Sequence, residues 1–595
     1  MKKLSLLLLI SMSIISCKSD KNEKVSTGIT NNEAFDNVLS DYYEEGLKLD
    51  PLSATSQGDN RYNDFMPNYL SEDYKKQLTS YYSNYYKSAN EFEDSLLTES
   101  QQMSKAILKW ECETKLEGLE FETDLTPINQ MWTLQLNIGQ LASGSSAQPF
   151  NTVEDYKNWL SRLDGYLAWI KTAEEKMREG INAEYVLPKS LIKKVLPQLE
   201  AMTTTNLEEH LFYSPIRSFP DSFSDADKKS LKEAYESKIT EEIIPAYTKL
   251  YQFMSTEYLD SGRETSGFAD LPNGEALYNY QIKLYTTTNM TADEIHKLGL
   301  SEVSRILTEM EKVKQQVGFE GDIIAFFDYV RENENLMPFS KPEEVIENFE
   351  QIHETMKPQI NRLFDLKPKT GFKVKRTEAF RENSASAEYN PGSLDGTRPG
   401  IFYVPIPDAN SYNTYSDESL FLHEAIPGHH YQVSLQQENQ DLPKFRKTLW
   451  YSAYGEGWAL YSESLGKELG LFTDPYQYFG MLSAEMHRAI RLVVDTGLHS
   501  KGWTREEAIE YSLNNEAESE ASITAEIERY MANGGQALSY KIGQLKIIEL
   551  RAKAENALGD DFNIAKFHNE VLKHGCVPLA ILEDNINSWI EGSKL

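Results

Sequence analysis

The chain has 595 residues, a formal net charge of −32 and a pI near 4.8. It is too long for a small binding module, and it can bury a large core around a deep cleft. The negative charge argues against nucleic acid and anionic lipid surfaces as natural partners, because both would repel the protein.

The first residues, MKKLSLLLLISMSIISC, have the pattern of a secretory signal. Two lysines precede an apolar run from Leu4 to Ile15, which is too short to cross a bilayer. The ending Ile-Ile-Ser-Cys resembles a bacterial lipobox, so residues 1–17 are predicted to be a lipoprotein signal peptide and Cys17 to be lipidated. Residues 18–33 would form a flexible polar tether. We therefore expect a cell-envelope protein on the periplasmic or outer-membrane side, attached to the membrane through a lipid anchor only. The alternative is ordinary secretion with Cys17 removed.

Helices are indicated from about residue 32 to residue 367, separated by short Pro, Gly or Asn punctuation. Residues 292–318 are the clearest case, because a glycine stands at the end and apolar side chains recur at helical spacing. These side chains are Ile295, Leu298, Leu300, Val303, Ile306, Leu307 and Met310. After Cys17, only Cys112 and Cys576 remain, far apart in sequence, so no disulfide framework is implied.

The pattern changes between about residues 372 and 408, where alternating or β-branched residues are broken by Asn-Pro-Gly and Asp-Gly turns. This predicts a small sheet. Helical pattern resumes at Ser416 and continues nearly to the C-terminus. The predicted fold class is therefore mainly α with one small β-sheet. Residues 34–595 are expected to form a single domain. Its helical N-terminal lobe would span residues 34–370, and a second lobe, with the sheet and a predicted functional site, would span residues 371–595.

The stretch HEAIPGHH, residues 423–430, opens like the zinc-peptidase motif His-Glu-x-x-His but has Pro427 in the position of the second histidine. Ser416 or Asp417 can cap a helix that carries His423 near its end. Pro427 lacks an N–H, and its ring clashes with the carbonyl four residues back, which is that of His423. The helix must therefore bend or break at this point.

The spacing of the histidines decides whether they can share a zinc ion. Residues four apart on a helix lie about 6 Å from each other on one face, whereas residues six apart point in roughly opposite directions. Residues seven apart lie about 10 Å apart, too far for two zinc–nitrogen bonds of about 2.0–2.1 Å. If Pro427 and Gly428 bulge out together, His429 takes the position of the second ligand beside His423. His430 is the alternative, but it requires a longer bulge.

A third ligand is expected from the segment WYSAYGEGWALYSESLG. Its two glutamates lie among aromatic and small residues, where an unpaired carboxylate is costly to bury. Glu456, between Gly455 and Gly457, which permit close helix approach, is the predicted ligand. Glu463 is better placed to hold either a neighbouring helix or a ligand histidine. The alternative is a helix–helix contact with solvated carboxylates.

The segment HRAIRLVVDTGLH contains Arg488, Arg491, Asp495 and His499. Arg491, Asp495 and His499 are spaced four apart, a pattern that in most helices forms an ion-pair network. The functional alternative is that Arg488 or Arg491 binds a substrate carboxylate and that His499 stabilises charge in the transition state.

The segment ERYMANGGQALSYKIG contains a glycine pair followed by Gln536, Tyr540 and Lys541. A loop here could bring Tyr540 into the cleft as a hydrogen-bond donor to an oxyanion. Gln536 and Lys541 are predicted to bind substrate. A tyrosine that caps a helix contact is an equally common arrangement.

At these residues the chain resembles the bacterial domain-of-unknown-function 885 family, placed with the gluzincin-type zinc peptidases. The resemblance runs in order from about residue 41 to the end. It is carried by PLSATSQGDNRYNDFMPNYLS, LPNGEALYNYQIKLYTTTNMTADEIHKLGLSEVSRI, NPGSLDGTRPGIFYV, HEAIPGHHYQ, EGWALYSE, RLVVDTGLHSKGWT, QALSYKIG and FHNEVLKHGCVPLAILE.

The resemblance implies a mostly helical, two-lobed body with a deep central channel, similar to angiotensin-converting enzyme and the thermophilic carboxypeptidase family. It also implies a zinc site formed by His423, His429 and Glu456, with Glu424 as the general base.

Together these patterns predict a zinc metallopeptidase that hydrolyses short peptides at the cell envelope. Residues 401–404, including Phe402, or residues 384–387 would hold the substrate backbone. Imidazole and carboxylate ligands suit zinc best, although manganese or cobalt fits the same ligand set. The alternative is a non-catalytic surface lipoprotein that binds peptides or nutrients.

Overall fold

The computed structural model describes residues 31–131, 133–144, 146–378, 382, 385–394 and 398–594. The protein is 69% helix and 3% strand, which confirms the prediction of a mainly helical fold with a small sheet. The predicted signal peptide, Cys17, most of the tether and residue 384 lie outside the described residues. Within the described ranges, no helix is both long enough and apolar enough to cross a membrane.

Fifteen α-helices precede the sheet in the described part of the chain. They are α1 (Asn31–Leu49), α2 (Pro51–Ser56), α3 (Glu72–Asn90), α4 (Glu99–Gly118), α5 (Leu134–Ala142), α6 (Val153–Asn182), α7 (Lys189–Ala201), α8 (Ser214–Arg217), α9 (Asp225–Lys238), α10 (Ile244–Phe253), α11 (Leu259–Ser261), α12 (Gly274–Thr286), α13 (Ala292–Gln316), α14 (Ile323–Glu332) and α15 (Pro342–Leu363).

Ten more α-helices follow the sheet among the described residues. They are α16 (Asp417–Glu424), α17 (His429–Glu438), α18 (Lys444–Lys447), α19 (Ser452–Ser464), α20 (Pro475–Ser500), α21 (Arg505–Leu513), α22 (Glu520–Ala532), α23 (Ser539–Leu558), α24 (Ile564–Leu572) and α25 (Leu579–Ser593).

Helix α13 is the amphipathic helix that the apolar spacing predicts. Thr291 caps its first turn with a capping box, and Gly318 beyond its end has a φ of +73°. Most of the predicted stripe is buried against α20, but Leu300 is 43% exposed. At Gly299 the two helices approach so closely that a Cβ would lie 2.7 Å from the side chain of Leu492.

The small sheet consists of β1 (Phe372–Arg376), β2 (Glu388–Asn390) and β3 (Gly400–Val404), in the order β1-β3-β2. Strand β3 pairs parallel with β1 and antiparallel with β2. The predicted substrate strand, residues 401–404, is therefore central, and its backbone groups are already engaged on both sides. Strand β2 lies at an edge of the sheet, on the side of β3 opposite β1.

Two large apolar clusters form most of the core. One contains buried residues between Met66 and Tyr258 and lies mainly among α5, α6, α7, α9 and α10. The other extends in sequence from Phe35 to Ile590 and includes residues from both sides of position 370. The larger cluster surrounds α16 and α19, so the helices that carry the histidine motif are held by the main core of the protein.

Candidate metal centre

The chain breaks between the two parts of the histidine motif. Helix α16 ends at Glu424 and α17 begins at His429, so Pro427 separates two helices instead of bulging from one. A Cβ at Gly428 would lie 1.9 Å from the carbonyl oxygen of His423, so only glycine fits here. The indole Nε1 of Trp458 donates to the Pro427 carbonyl at 2.8 Å and holds the break against α19.

The break brings His423 and His429 to one side, beside Glu456 from α19. One ligand atom from each of these three residues lies within 4.8 Å of the other two. Glu456 Oε2 is 3.7 Å from His423 Nε2 and 3.3 Å from His429 Nε2. The two imidazole rings are perpendicular, with centroids 4.8 Å apart. Two imidazoles and one carboxylate are the ligands of a known class of catalytic zinc site that leaves a position open.

His430 lies on a different side of α17. Successive helical residues are rotated by about 100°, so the neighbour of a ligand cannot face the same point. The Nδ1 of His430 is 2.9 Å from the Tyr389 hydroxyl, and its ring packs on Phe372 of β1. Burial lowers the pKa of His430 to about 4, so the ring is neutral. Of the two histidines that the sequence left open, His429 is the one beside Glu456.

Glu463 supports the first histidine. Its carboxylate accepts hydrogen bonds from His423 Nδ1 at 2.7 Å and from Ser419 Oγ at 2.6 Å. These contacts orient the ring so that Nε2 of His423 faces Glu456. Metal-binding histidines are generally oriented in this way by a hydrogen bond to their other ring nitrogen. The position of Glu456 itself is set by Gly457, where a Cβ would lie 2.5 Å from the backbone of Gly543 on α23.

The electrostatics of the centre indicate a place for a cation. Burial alone would lower the pKa of His423, but hydrogen bonds to Glu456 and Glu463 outweigh it and raise the pKa to about 9. Burial would raise the pKa of Glu456, but the two histidines hold it well below its ordinary value. In the metal-free protein, a proton on His423 therefore partly balances these carboxylates. The same donor atoms fit a divalent metal ion.

Glu424 and Tyr540 lie beside the predicted ligands in a cleft of about 1950 Å³. This exceeds the roughly 300–1000 Å³ of ordinary small-molecule pockets and leaves room for an extended peptide. Burial raises the pKa of Glu424 above its ordinary value, opposed by the nearby histidines. Burial also raises the pKa of Tyr540, so its hydroxyl stays protonated at neutral pH.

The family model for the bacterial protein of unknown function (DUF885) matches residues 51–586. The chain belongs to this family. The crystal structure of the "putative lipoprotein" from Colwellia psychrerythraea is 28% identical with a TM-score of 0.86, over 95% of this chain and 100% of that one. The structure of a "putative lipoprotein of unknown function" from Shewanella oneidensis is 19% identical to this chain with a TM-score of 0.72, and the match covers 92% of this chain and 99% of that one. No curated protein matches the chain.

Arg488 and Arg491 also line the cleft of this DUF885 protein. The Arg491 guanidinium carbon lies 4.6 Å from the centroid of the Tyr540 ring, and that of Arg488 lies 5.8 Å from it. The structure therefore brings together the predicted ligands, the predicted base, the predicted tyrosine and both predicted arginines.

His499 is not brought to the cleft. It is 1% exposed, its Nδ1 accepts from the backbone N–H of Phe268, and its Nε2 donates to the carbonyl of Tyr530. Burial lowers its pKa to about 3, so it is a neutral core histidine with both nitrogens satisfied. A structural role thus replaces the predicted stabilisation of charge in the transition state.

Three predicted substrate-binding residues also lie away from the cleft lining. Phe402 is fully buried in the core against Phe349. Lys541 is fully buried and forms ion pairs with Glu302 and Glu485. The side-chain oxygen of Gln536 accepts from Arg529, so it supports a cleft residue without lining the cleft itself.

Two features of the cleft were missed from the sequence. The first is edge strand β2, whose residues 388–390 line the cleft. The second is the group of His487, Glu526 and Arg529 next to the predicted arginines. His487 stands four residues before Arg491 on one helix face, which was an available signal. Glu526 and Arg529 come from α22 and gave no signal of their own.

Proposed function

We propose that this protein is a zinc metallopeptidase that hydrolyses short peptides and is held at the cell envelope by a lipid on Cys17. The observation that carries the proposal is the convergence of His423, His429 and Glu456 in a large cleft, with Glu424 buried beside them. A ligand set of this kind, with an adjacent glutamate, is the arrangement used by zinc peptidases.

Zinc held by the three ligand residues would act as a Lewis acid and lower the pKa of a water molecule in the open position. Glu424 accepts the proton from the attacking water and delivers it to the amine that leaves. Its raised pKa suits this exchange, because a general base works best when its pKa approaches the operating pH. Glu463 and Ser419 keep His423 in the orientation that the site needs.

Tyr540 serves as the donor to the oxyanion that forms on the peptide carbonyl. Tyr540 is half-buried in the cleft wall, its raised pKa keeps the hydroxyl protonated, and the charge of Glu456 acts on it. A preorganised donor in a site with little water stabilises developing charge more than it would in solution.

Strand β2 is the feature best placed to hold an extended peptide. It pairs with β3 on one side, and no other strand among the described residues pairs with it. Peptides commonly bind such an edge through their backbone hydrogen-bonding groups. This assigns to β2 the role that the sequence had suggested for residues 401–404 or residues 384–387.

The envelope location rests on the lipobox-like end of the leader and on the names of the two similar structures, both of which include the word lipoprotein. Radiolabelled palmitate incorporated by the parent protein but not by Cys17→Ala would support lipidation. Incorporation into Cys17→Ala would contradict it.

The test of the metal site compares adjacent histidines. Elemental analysis of the parent protein should find about one zinc per chain. Zinc and cleavage of a mixed peptide library should both be lost in His423→Ala and His429→Ala. His430→Ala is the matched control, because it removes a neighbouring buried imidazole that faces Tyr389, and it should keep zinc.

Glu424→Gln separates binding from catalysis. It should keep zinc and lose cleavage, since the amide cannot take a proton. Zinc and peptide binding without product release in the parent protein would instead identify a non-catalytic binding lipoprotein. Absence of both metal and cleavage in the parent would overturn the proposal.

A further inference from the structure

Arg488 lies on the wall of the cleft and forms no ion pair with any residue that the structure describes. Its single hydrogen bond within the described chain runs from Nη1 to the carbonyl of Ala484 at 3.3 Å. Its Nε is inaccessible to solvent and has no hydrogen-bond partner. A donor of a charged group that is desolvated and unpaired is costly, so this position is built for an anion that arrives with a ligand.

Arg491, one helical turn further along α20, strengthens this position. It is 7% exposed and also has an unpartnered nitrogen, Nη1. Its Nη2 bonds to Glu526 at 3.0 Å and its Nε to the Tyr530 hydroxyl at 2.8 Å. The ring of Tyr540 packs on the guanidinium. Arg491 is thus held firmly in place with one donor unused.

Two of the carboxylates near the arginines, Glu516 and Glu526, already pair with cations other than Arg488. Arg529 shares the carboxylate of Glu526 with Arg491. His487 pairs with Glu516; burial lowers the pKa of His487, but the charge of Glu516 outweighs burial and raises it. Among the described residues, Arg488 has no carboxylate within ion-pairing distance, although the charges of Glu424 and Glu518 act on it. A carboxylate from a ligand would therefore supply Arg488 with a direct partner. It would also provide the paired acceptors that a guanidinium prefers.

The part of the cleft wall that contains Arg488 lies close to Glu424 and Tyr540. The charge of Arg488 acts on Glu424, and the hydroxyl of Tyr540 is influenced by both Glu456 and Arg488. An extended peptide advances about 3.3 Å per residue. A substrate that places a peptide bond beside Glu424 can therefore reach Arg488 after only a short stretch of chain.

We propose that Arg488, supported by Arg491, binds the C-terminal carboxylate of the substrate, so that the enzyme releases short products from the C-terminus of peptides and does not cut internally. The inference rests on the proposed function. Each turnover consumes one water and breaks one C–N bond. The water oxygen joins the carbonyl carbon as part of a new carboxylate, and a proton goes to the amine of the released product.

The experiment uses the full chain loaded with zinc and pairs of short peptides that differ only in a free C-terminal carboxylate or a C-terminal amide. Products are identified by mass spectrometry, and kcat/KM is measured for each. Free acids should be cleaved near the C-terminus at least about 30-fold more efficiently than amides, since losing one partner of a charge pair that becomes buried on binding costs that much or more.

Variants test whether Arg488 is responsible for the preference for free acids over amides. Arg488→Gln should reduce cleavage of the free acid and abolish the preference over the amide, whereas Arg488→Lys should restore part of it. Arg398→Gln is the matched control, because Arg398 is an exposed arginine of the same cleft. It should leave the preference unchanged. Equal cleavage of acids and amides, or cleavage at internal bonds, would overturn this inference while leaving the peptidase in place.

A binding measurement tests the inference without turnover. Calorimetry on Glu424→Gln should give tighter binding of the free acid than of the amide, and this difference should vanish when Arg488→Gln is added. Such a preference in a protein that cleaves nothing would support the carboxylate site while refuting the proposed function. Equal affinity for acid and amide would refute the carboxylate site.

Discussion

Substitution of Glu463 tests most directly how His423 is positioned in the proposed metal centre. The two oxygens of Glu463 accept from Ser419 and from His423 Nδ1. Glu463→Gln keeps the shape but replaces one acceptor with an NH₂ group and removes the charge. Loss of such a partner costs about 10- to 100-fold in metal affinity, or roughly 1.4–2.8 kcal/mol. We expect a loss of this size in zinc affinity at pH 9.

The pH matters because protons and zinc compete for His423. Its folded-state pKa is raised to about 9, so the ring is protonated at pH 7 and zinc must displace that proton. Zinc affinity of the parent should therefore rise about tenfold per unit from pH 7 and level off near pH 9. In Glu463→Gln the pKa of His423 should fall, so zinc affinity should rise less steeply with pH. At pH 7 the weaker proton competition partly offsets the weaker binding, so only the measurement at pH 9 isolates the loss.

The assay is competition for zinc with a chromophoric chelator at pH 7, 8 and 9. Ser419→Ala is the control, because it removes one hydrogen bond but keeps the carboxylate on His423, and it should lose less affinity than Glu463→Gln. Thermal unfolding of the metal-free variants checks that they are folded. A folded Glu463→Gln that binds zinc as tightly as the parent at pH 9 would refute the reasoning.

Three further outcomes are expected. Gly428→Ala should abolish zinc binding, because its Cβ would lie 1.9 Å from the carbonyl oxygen of His423; zinc retained at the parent level in elemental analysis would contradict this. His499→Ala should lower the free energy of unfolding in denaturant by about 2–4 kcal/mol while leaving zinc affinity unchanged, because it removes a buried ring and leaves the backbone groups of Phe268 and Tyr530 unpaired. A lowered zinc affinity in this variant would argue against its structural placement. Removal of zinc by a chelator should lower Tm, since zinc at 1,000 times its Kd stabilises the folded state by about 4 kcal/mol. Calorimetry that finds the same Tm with and without zinc would count against a native zinc site.

The local parts of the site were predictable from the sequence. Proline chemistry alone indicates that the helix through His423 cannot continue past Pro427, and the structure has two helices there. The carboxylates of Glu456 and Glu463 were also identifiable, because two acids among aromatic residues need partners. Helical spacing likewise predicts α13 within a few residues of its observed end.

Long-range partners were not predictable. The spacing of Arg491, Asp495 and His499 suggested an ion-pair network along one helix, but the partners of Asp495 and His499 come from elsewhere in the chain. Asp495 accepts from the hydroxyl of Tyr278 and from the backbone N–H of Gly535. Spacing along a helix reveals which side chains share a face, but not which elements pack against it. The same limit explains why Phe402 and Lys541 were placed in the cleft.

Helix α19 connects the parts of the centre. Glu456 lies beside both histidines, Glu463 orients one of them, and Trp458 holds the break between the two halves of the motif. At Gly457 the same helix packs backbone to backbone on α23, whose first turn carries Tyr540. Side chains on packed helices are held more firmly than side chains on loops. The spacing between Glu456 and Tyr540 is therefore determined by one close helix contact. For this reason a bulkier residue at position 457, which also sets the position of Glu456, should separate Glu456 from Tyr540 and lower both zinc affinity and peptide cleavage.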